Sequence, residues 1–386
     1  MLIICEMNLK LKLETCLLVF VLIITSNSAN GKDIIPKDSV IPGLYTKFEA
    51  AVKNPLNVKI LDLSNKNLKT FTYSLIDFKN LEQIDISYNK FTEFPVLILD
   101  VKNLKVLDLG HNQIAQIPDK IIQLENLEEL YLNNNQLKNL SESIGKLKNL
   151  KNLYLYNNQL ADIPESIREL NALQKLYAFN NKISKFPEDL CELTNLKVLD
   201  FHNNLIGNLP CRIDKLVNLE QLILFNNKLT SFDFEIQNNS KLRVLDLSYN
   251  DISILPENIH KLHNLERLDI SYNRISKLPD KIGNLKKLRE LVMYNCNLDS
   301  LPDSIGDLDS LSALAAPFNK IKIIPGAIGN LKVLEGIDIS KNEITYLPES
   351  IIGCINLKKL FLSLNPFSKN EKIKIGKMLP NVKISW

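Results

Sequence analysis

The chain has 386 residues, and its 47 Lys and Arg nearly balance 44 Asp and Glu, leaving a formal charge of +3. So weak a net charge supplies no basic field to draw in nucleic acid or anionic lipid, and partners have to be recognised by shape and local chemistry. The length would allow two or three globular domains, but a regular 23-residue period from residue 58 to residue 367 leaves no room for them.

Residues 1–29 read as an export signal. Lys10 and Lys12 precede an apolar core from Cys16 to Ile24, and the small polar run Thr25 to Ala29 follows, with cleavage expected near Ser28 or Ala29. The core is too short to span a bilayer comfortably, and no later segment is a transmembrane candidate, so no membrane span is expected after cleavage. Residues 30–57 are expected to form an N-terminal cap. Leu44, Phe48 and Val52 recur at four-residue steps, predicting a capping helix ended by Asn54-Pro55.

Fourteen 23-residue repeats fill residues 58–367, their leading apolar residues running from Val58 to Leu357 without insertion or deletion. A fixed period of this length predicts a solenoid, in which each unit buries its apolar face only against its neighbours. In the repeat at 103–125, Leu104, Leu107 and Leu109 fill slots one, four and six, and Asn112 and Ile114 fill slots nine and eleven. Alternation around Leu107 and Leu109 predicts a short strand pointing both leucines inward, with Asp108 and Gly110 facing out. The ninth-slot amide can satisfy backbone groups that a bend strips of strand partners. Twelve repeats carry it: Asn89, Asn112, Asn135, Asn158, Asn181, Asn204, Asn227, Asn250, Asn273, Asn319, Asn342 and Asn365. Lys66 replaces it in the first repeat, where fraying is expected, and Cys296 in the eleventh, where a thiol can still donate weakly. The outer half returns through a Leu-Pro step and a short helical turn, with prolines in ten repeats from Pro95 to Pro348. The eighth repeat, with Asp233 for proline and Asn239 at the last apolar slot, should have a different outer loop. Residues 368–386 are expected to close the stack with a helix around Ile373 to Leu379 and a strand in which Val382, Ile384 and Trp386 alternate. The fold class is therefore an α/β solenoid arc, with a parallel β-sheet on the concave face, short helical or 3-10 turns on the convex face, and a cap at each end. With the ends covered, a monomer is expected.

The fifth and seventh slots line the concave face. In five repeats they hold Asp and Ser, read as a solvated lining, but from the fourth to the eighth repeat the fifth slot holds Tyr131, Tyr154, Tyr177, Asp200 and Ile223 and the seventh holds Asn133, Tyr156, Phe179, His202 and Phe225. An apolar patch rimmed by polar residues marks a protein-binding surface, and Tyr is a favoured anchor there. The same rings could instead stack on one another and serve only the sheet. A smaller patch gathers Val292, Tyr294, Ala315, Pro317 and Phe318.

No constellation for catalysis emerges, and neither a metal nor a cofactor is expected. His260 and His263, near Glu257, fall on the convex return, and Gly145-Lys146 and Gly376-Lys377 lack the earlier glycine of a phosphate loop. The spacing of Cys191, Cys211, Cys296 and Cys354 resembles neither a disulfide framework nor a zinc site, although Cys191 and Cys211, in adjacent repeats, could bridge.

The motif LxxLxLxxNxLxxLPxxIxxLxx, the entry NPLNVKILDLSNKNL at 54–68 and the exit LSLNPFSKNEKIKIGKMLPNVKISW at 362–386 together resemble the secreted leucine-rich-repeat proteins of spirochaete bacteria. The resemblance implies a non-catalytic module, secreted or held at the cell surface or outer membrane, that binds a host surface or matrix protein through its concave face. Two alternatives share the arch: an intracellular scaffold of the small-GTPase or phosphatase-associated type, and a glycan binder stacking sugars on exposed Tyr faces.

Overall fold

The computed structural model describes residues 41–232 and 241–386, the side chains of 211 and 212 excepted. The expected export signal, residues 30–40, the outer loop of the eighth repeat and any bridge to Cys211 lie outside the described residues. Residues from 45 onward belong to one compact unit.

Every repeat contributes a three-residue strand, such as Val106–Asp108 or Asn152–Tyr154. The strands belong to one sixteen-strand sheet in strict sequence order, as the 23-residue period predicts. Neighbouring repeats pair parallel at an offset of 23, as in Leu130 opposite Leu153 and Leu153 opposite Leu176. The last strand, Lys383–Ser385, pairs with Lys359–Phe361 at an offset of 24, Lys359 facing Lys383. Parallel in-register stacking puts identical slots about 4.8 Å apart, so each slot becomes a column along the sheet. The inward columns form one continuous core, in which Leu104, Leu107 and Leu109 are fully buried and so are their counterparts in the next repeats.

On the opposite side, 3-10 turns of up to five residues replace helices, as in Asp119–Gln123 and Glu165–Glu169. Proline stands just before the turn, as its N-cap, with φ of −71° at Pro118 and −65° at Pro164. Ser141 substitutes for it in the fourth repeat, and its Oγ accepts a bond from the Ser143 N–H at 3.1 Å. Ile121 with Leu124 and Ile167 with Leu170 send their side chains into the core, all fully buried.

Both ends differ in detail from the sequence reading. The N-terminal helix is a single turn, Phe48–Ala51; Leu44 lies in a two-residue strand and Val52 is 47% exposed. Closure there is aromatic: Phe48 stacks on Tyr73 at 3.9 Å and meets Phe71 and Phe78 at 6.4 and 5.8 Å. At the far end the helix spans Lys369–Met378, starting four residues before Ile373, because Ser368 caps it by accepting the Glu371 N–H at 3.1 Å. Trp386 stays 41% exposed with its ring edge-on to Phe367 at 6.0 Å.

Candidate functional site

Each ninth-slot Asn joins two repeats. Asn112 Nδ2 donates to Leu109 O in its own repeat (3.0 Å) and to Ile86 O in the preceding one (3.1 Å), while its Oδ1 accepts from Phe91 N–H (3.1 Å). The same set recurs from Asn89 to Asn365, for example at Asn273. Cys296 keeps half of it, with Sγ donating to Ile270 O at 3.2 Å, the carbonyl 26 residues back.

The residue before each of these, in slot eight, has a left-handed backbone in all fourteen repeats, with φ between 50° and 59°. Among residues with a side chain Asn is one of the most tolerant of this region, and Asn134, Asn157, Asn180, Asn203 and Asn226 use it to build a second amide ladder. Asn157 Nδ2 donates to Asn134 Oδ1 at 2.8 Å, and the next three links are each 2.6 Å. The column was missed in the sequence because only the inward Asn was read for backbone duty, yet the repeated Asn-Asn pair was a visible signal. Tyr88, Tyr249, Tyr272 and Phe318 hold the same left-handed position with aromatic side chains.

The aspartates of the fifth slot are not a solvated lining, as Asp85, Asp108, Asp200 and Asp269 are all buried. Each accepts, through Oδ1, the N–H of the seventh-slot residue: Asp108 from Gly110 at 2.8 Å, Asp85 from Ser87 at 2.9 Å, Asp246 from Ser248 at 3.0 Å, Asp338 from Ser340 at 3.0 Å. These N–H groups point out of the strand end and would otherwise be stranded on a half-buried surface. In the twelfth repeat slot five is Ala315, and slot seven is Pro317, which has no N–H to satisfy.

Tyr131, Tyr154 and Tyr177 break this rule, supplying rings where a carboxylate cap would stand. Tyr131 stacks on Tyr154 at 4.2 Å and Tyr154 on Tyr177 at 5.1 Å, all within 6° of parallel. In the adjacent column Tyr156 stacks on Phe179 at 4.4 Å and Phe179 on His202 at 4.2 Å; Phe225 follows at 5.8 Å. Phe225 then meets Tyr249 edge-on at 5.3 Å, and Tyr249 stacks on Tyr272 at 4.1 Å. The rings from Tyr156 to Tyr272 thus form one rail across six repeats. Tyr249 and Tyr272, its far end, were not among the residues expected from sequence. Ile223 sits beside the rail, half-buried, paired on one side with Asp200 and on the other with Asp246. Tyr294 lies three strands past Phe225, and its N–H donates to Ser271 Oγ at 3.1 Å. In the smaller patch Val292 and Ala315 are buried, and Lys341 Nζ covers the Phe318 ring at 3.9 Å.

Electrostatics divide the face in two. Burial pushes the Tyr131, Tyr154 and Tyr177 hydroxyls above their ordinary range, Tyr177 to about 12, and Tyr131 donates to Glu129 Oε2 at 2.7 Å. Further along, His202 Nδ1 donates to Asp200 Oδ1 at 2.7 Å. Asp246 faces Asp269 across one strand pair. Burial, and then the charge of Asp246, pushes the Asp269 carboxyl up to about 7. Burial likewise raises Asp246. Arg267 is shared between Asp269, at 3.4 Å, and Glu290. Among the described residues no cluster of His, Cys, Asp and Glu is arranged to hold a metal, and His260 Nδ1 donates to the Glu257 carbonyl at 2.7 Å.

A leucine-rich-repeat protein of Leptospira interrogans, of solved structure, is 33% identical, covers 90% of this chain and 100% of its own, and superposes with a TM-score of 0.68. The chain belongs to the leucine-rich-repeat family. Models of this family match as "Leucine-rich repeat region" over 134–236 and 227–318, and as "Leucine Rich repeats (2 copies)" over 79–123 and 102–145. A plant peptide hormone receptor, RGFR1, solved in complex with RGF2, is 25% identical with a TM-score of 0.64, covering 81% of this chain and 60% of the receptor. An internalin of Listeria monocytogenes shares the fold at 22% identity and a TM-score of 0.63, covering 86% of this chain and 88% of its own. No curated protein matches the chain. Leucine-rich-repeat proteins generally mediate protein–protein interaction, and the fold is typically a non-catalytic scaffold. No helix among the described residues is long and apolar enough to cross a membrane.

Proposed function

We propose that this leucine-rich-repeat chain is an exported or surface-held, non-catalytic binding module that grips a protein partner, such as a host surface or matrix protein, on the aromatic part of its sheet face. The observation that carries this reading is the exchange of Asp for Tyr131, Tyr154 and Tyr177 in three consecutive repeats. Each exchange forgoes a hydrogen bond to a seventh-slot N–H, worth ~1 kcal/mol. Stacking returns a similar ~0.5–1.5 kcal/mol per ring pair. Stability is therefore nearly indifferent between the two, and what changes is the surface offered to another molecule. The same stacking favours a polypeptide over a glycan. Ring faces cover one another at 4.2 to 5.1 Å, so edges and hydroxyls, rather than flat faces, meet the partner. The peptide bound to the plant receptor is a precedent for a polypeptide on such a solenoid.

The test is capture of partners from host surface extracts by the protein and by a variant with Tyr154, Tyr156, Tyr177 and Phe179 all changed to Ser, with circular dichroism as the folding control. Capture should be lost while the spectrum is retained. Unchanged capture would place binding elsewhere on the chain. Mass spectrometry of the N-terminus of protein recovered outside the cell should find residues 1–29 removed, whereas an uncleaved cytoplasmic product would favour the intracellular scaffold.

A further inference from the structure

The aromatic rail does not run through neutral surroundings. Over the seventh to eleventh repeats the outward slots three, five and seven hold Asp200, Asp246, Asp269 and Glu290 against a single fixed cation, Arg267. Arg267 is already shared between Asp269 and Glu290. Asp246 Oδ1 accepts both the N–H and the hydroxyl of Ser248 (3.0 and 2.6 Å). Ile223 lies between Asp200 and Asp246 at the same register, and Phe225 and His202, neighbours in the rail, flank it two slots along. An apolar floor with a carboxylate on either side and a ring at the rim matches one kind of side chain: a long aliphatic stem ending in a cation.

We propose that the protein partner presents a basic segment to this half of the face, seating a Lys or Arg stem on Ile223 with its charged head between Asp200 and Asp246 and against Phe225. The inference rests on the protein-binding reading above and adds the partner's chemistry to it. A cation at this position lowers the repulsion that holds Asp246 and Asp269 against each other. An acidic segment would add to that repulsion on a half-buried surface, and a purely apolar one would bury the carboxylates without a counter-charge.

The experiment selects a displayed library of random linear 12-residue peptides on the full chain and resynthesises the enriched sequences for affinity measurement. Enriched peptides should carry Lys or Arg beside apolar residues and weaken as NaCl rises from 0.05 to 0.5 M. Their affinity should fall about tenfold or more in the double variant Asp200→Asn, Asp246→Asn. Asn keeps an acceptor for the seventh-slot N–H, so this variant should fold. Asp338→Asn, the same exchange at a capping Asp outside the rail, should leave affinity unchanged. Neutral or acidic peptides that depend on Tyr156 and Phe179 would overturn the basic segment while leaving the binding face standing. An equal loss in Asp338→Asn would reduce the effect to diffuse attraction and also overturn it. Failure to enrich any peptide over an unrelated control protein would overturn both readings together.

Discussion

Asn297 takes a left-handed backbone, φ 70°, directly after Cys296, and Asn67 does the same, φ 56°, directly after Lys66. These are the two repeats that lack the ladder Asn, and the only two with Asn in slot ten. The turn is re-closed one residue later, and the next repeat completes it. Asn319 Oδ1 accepts both Cys296 N–H (2.9 Å) and Leu298 N–H (3.0 Å), and Asn89 Oδ1 accepts both Lys66 N–H (3.0 Å) and Leu68 N–H (2.9 Å). The first repeat is thus a variant turn rather than a frayed one.

Asn297→Ala should therefore lower stability by ~1 kcal/mol, because a left-handed backbone costs an ordinary L-residue about that much. Asn297→Gly should be close to neutral, and Gln136→Ala, in the same slot of a regular repeat, should do little. Denaturant midpoints for the three variants check this; a neutral Asn297→Ala would refute the account of the turn.

Tyr154→Asp should fold with a stability within ~1 kcal/mol of the parent, since a restored cap on the Tyr156 N–H offsets the lost stacking. Partner capture should nevertheless collapse. A variant that unfolds would mean the rings serve the sheet; one that folds and still binds would move the binding face off this column.

For pH dependence, the Asp269 carboxyl, which ionises near 3.9 in an unfolded chain, is pushed up to about 7 in the fold by burial and by Asp246. The raised value means that the folded state holds this proton more tightly. The stability Asp269 contributes is full below about pH 4 and is lost as pH rises through about 7. Asp269→Asn keeps an acceptor for the Ser271 N–H, now 3.1 Å from Oδ1, and never ionises. It should match the parent near pH 4 and melt at a higher temperature by pH 8. Melting below the parent at pH 8 would reverse the sign of this argument.

On the convex side, Gly306 stands where a Cβ would lie 2.2 Å from Ala327 O and 2.7 Å from Ala327 Cβ, and Gly283 and Gly329 are as tightly confined. Backbone cannot retreat there without separating adjacent repeats. Gly306→Ala should cost ~1–3 kcal/mol, against little for Gly326→Ala, whose Cβ would meet only Ser350 Oγ at 3.8 Å. Thermal melts of the two separate close packing from loss of backbone freedom.

Much of this was legible in the sequence. A constant period of 23 fixes parallel register, and register fixes which side chains stack, so the buried leucines and the aromatic columns could be located by counting. Alternating charge in slot two was also there to read. Glu82 with Lys105, Glu128 with Lys151 and Arg243 with Glu266 pair at 2.9, 2.6 and 2.9 Å, because like charges in register would sit about 4.8 Å apart.

By itself the sequence determined the solenoid, its register and the identity of each column, since all three follow from periodicity and side-chain polarity. Tertiary structure alone decided what the polar columns do. An Asp facing outward can be hydrated or can cap a neighbour's N–H, and only the strand-end geometry, which turns that N–H toward slot five, selects the cap. A row of tyrosines can splay or stack, and only the parallel ring planes of Tyr131, Tyr154 and Tyr177 show that these rings stack face to face along the sheet.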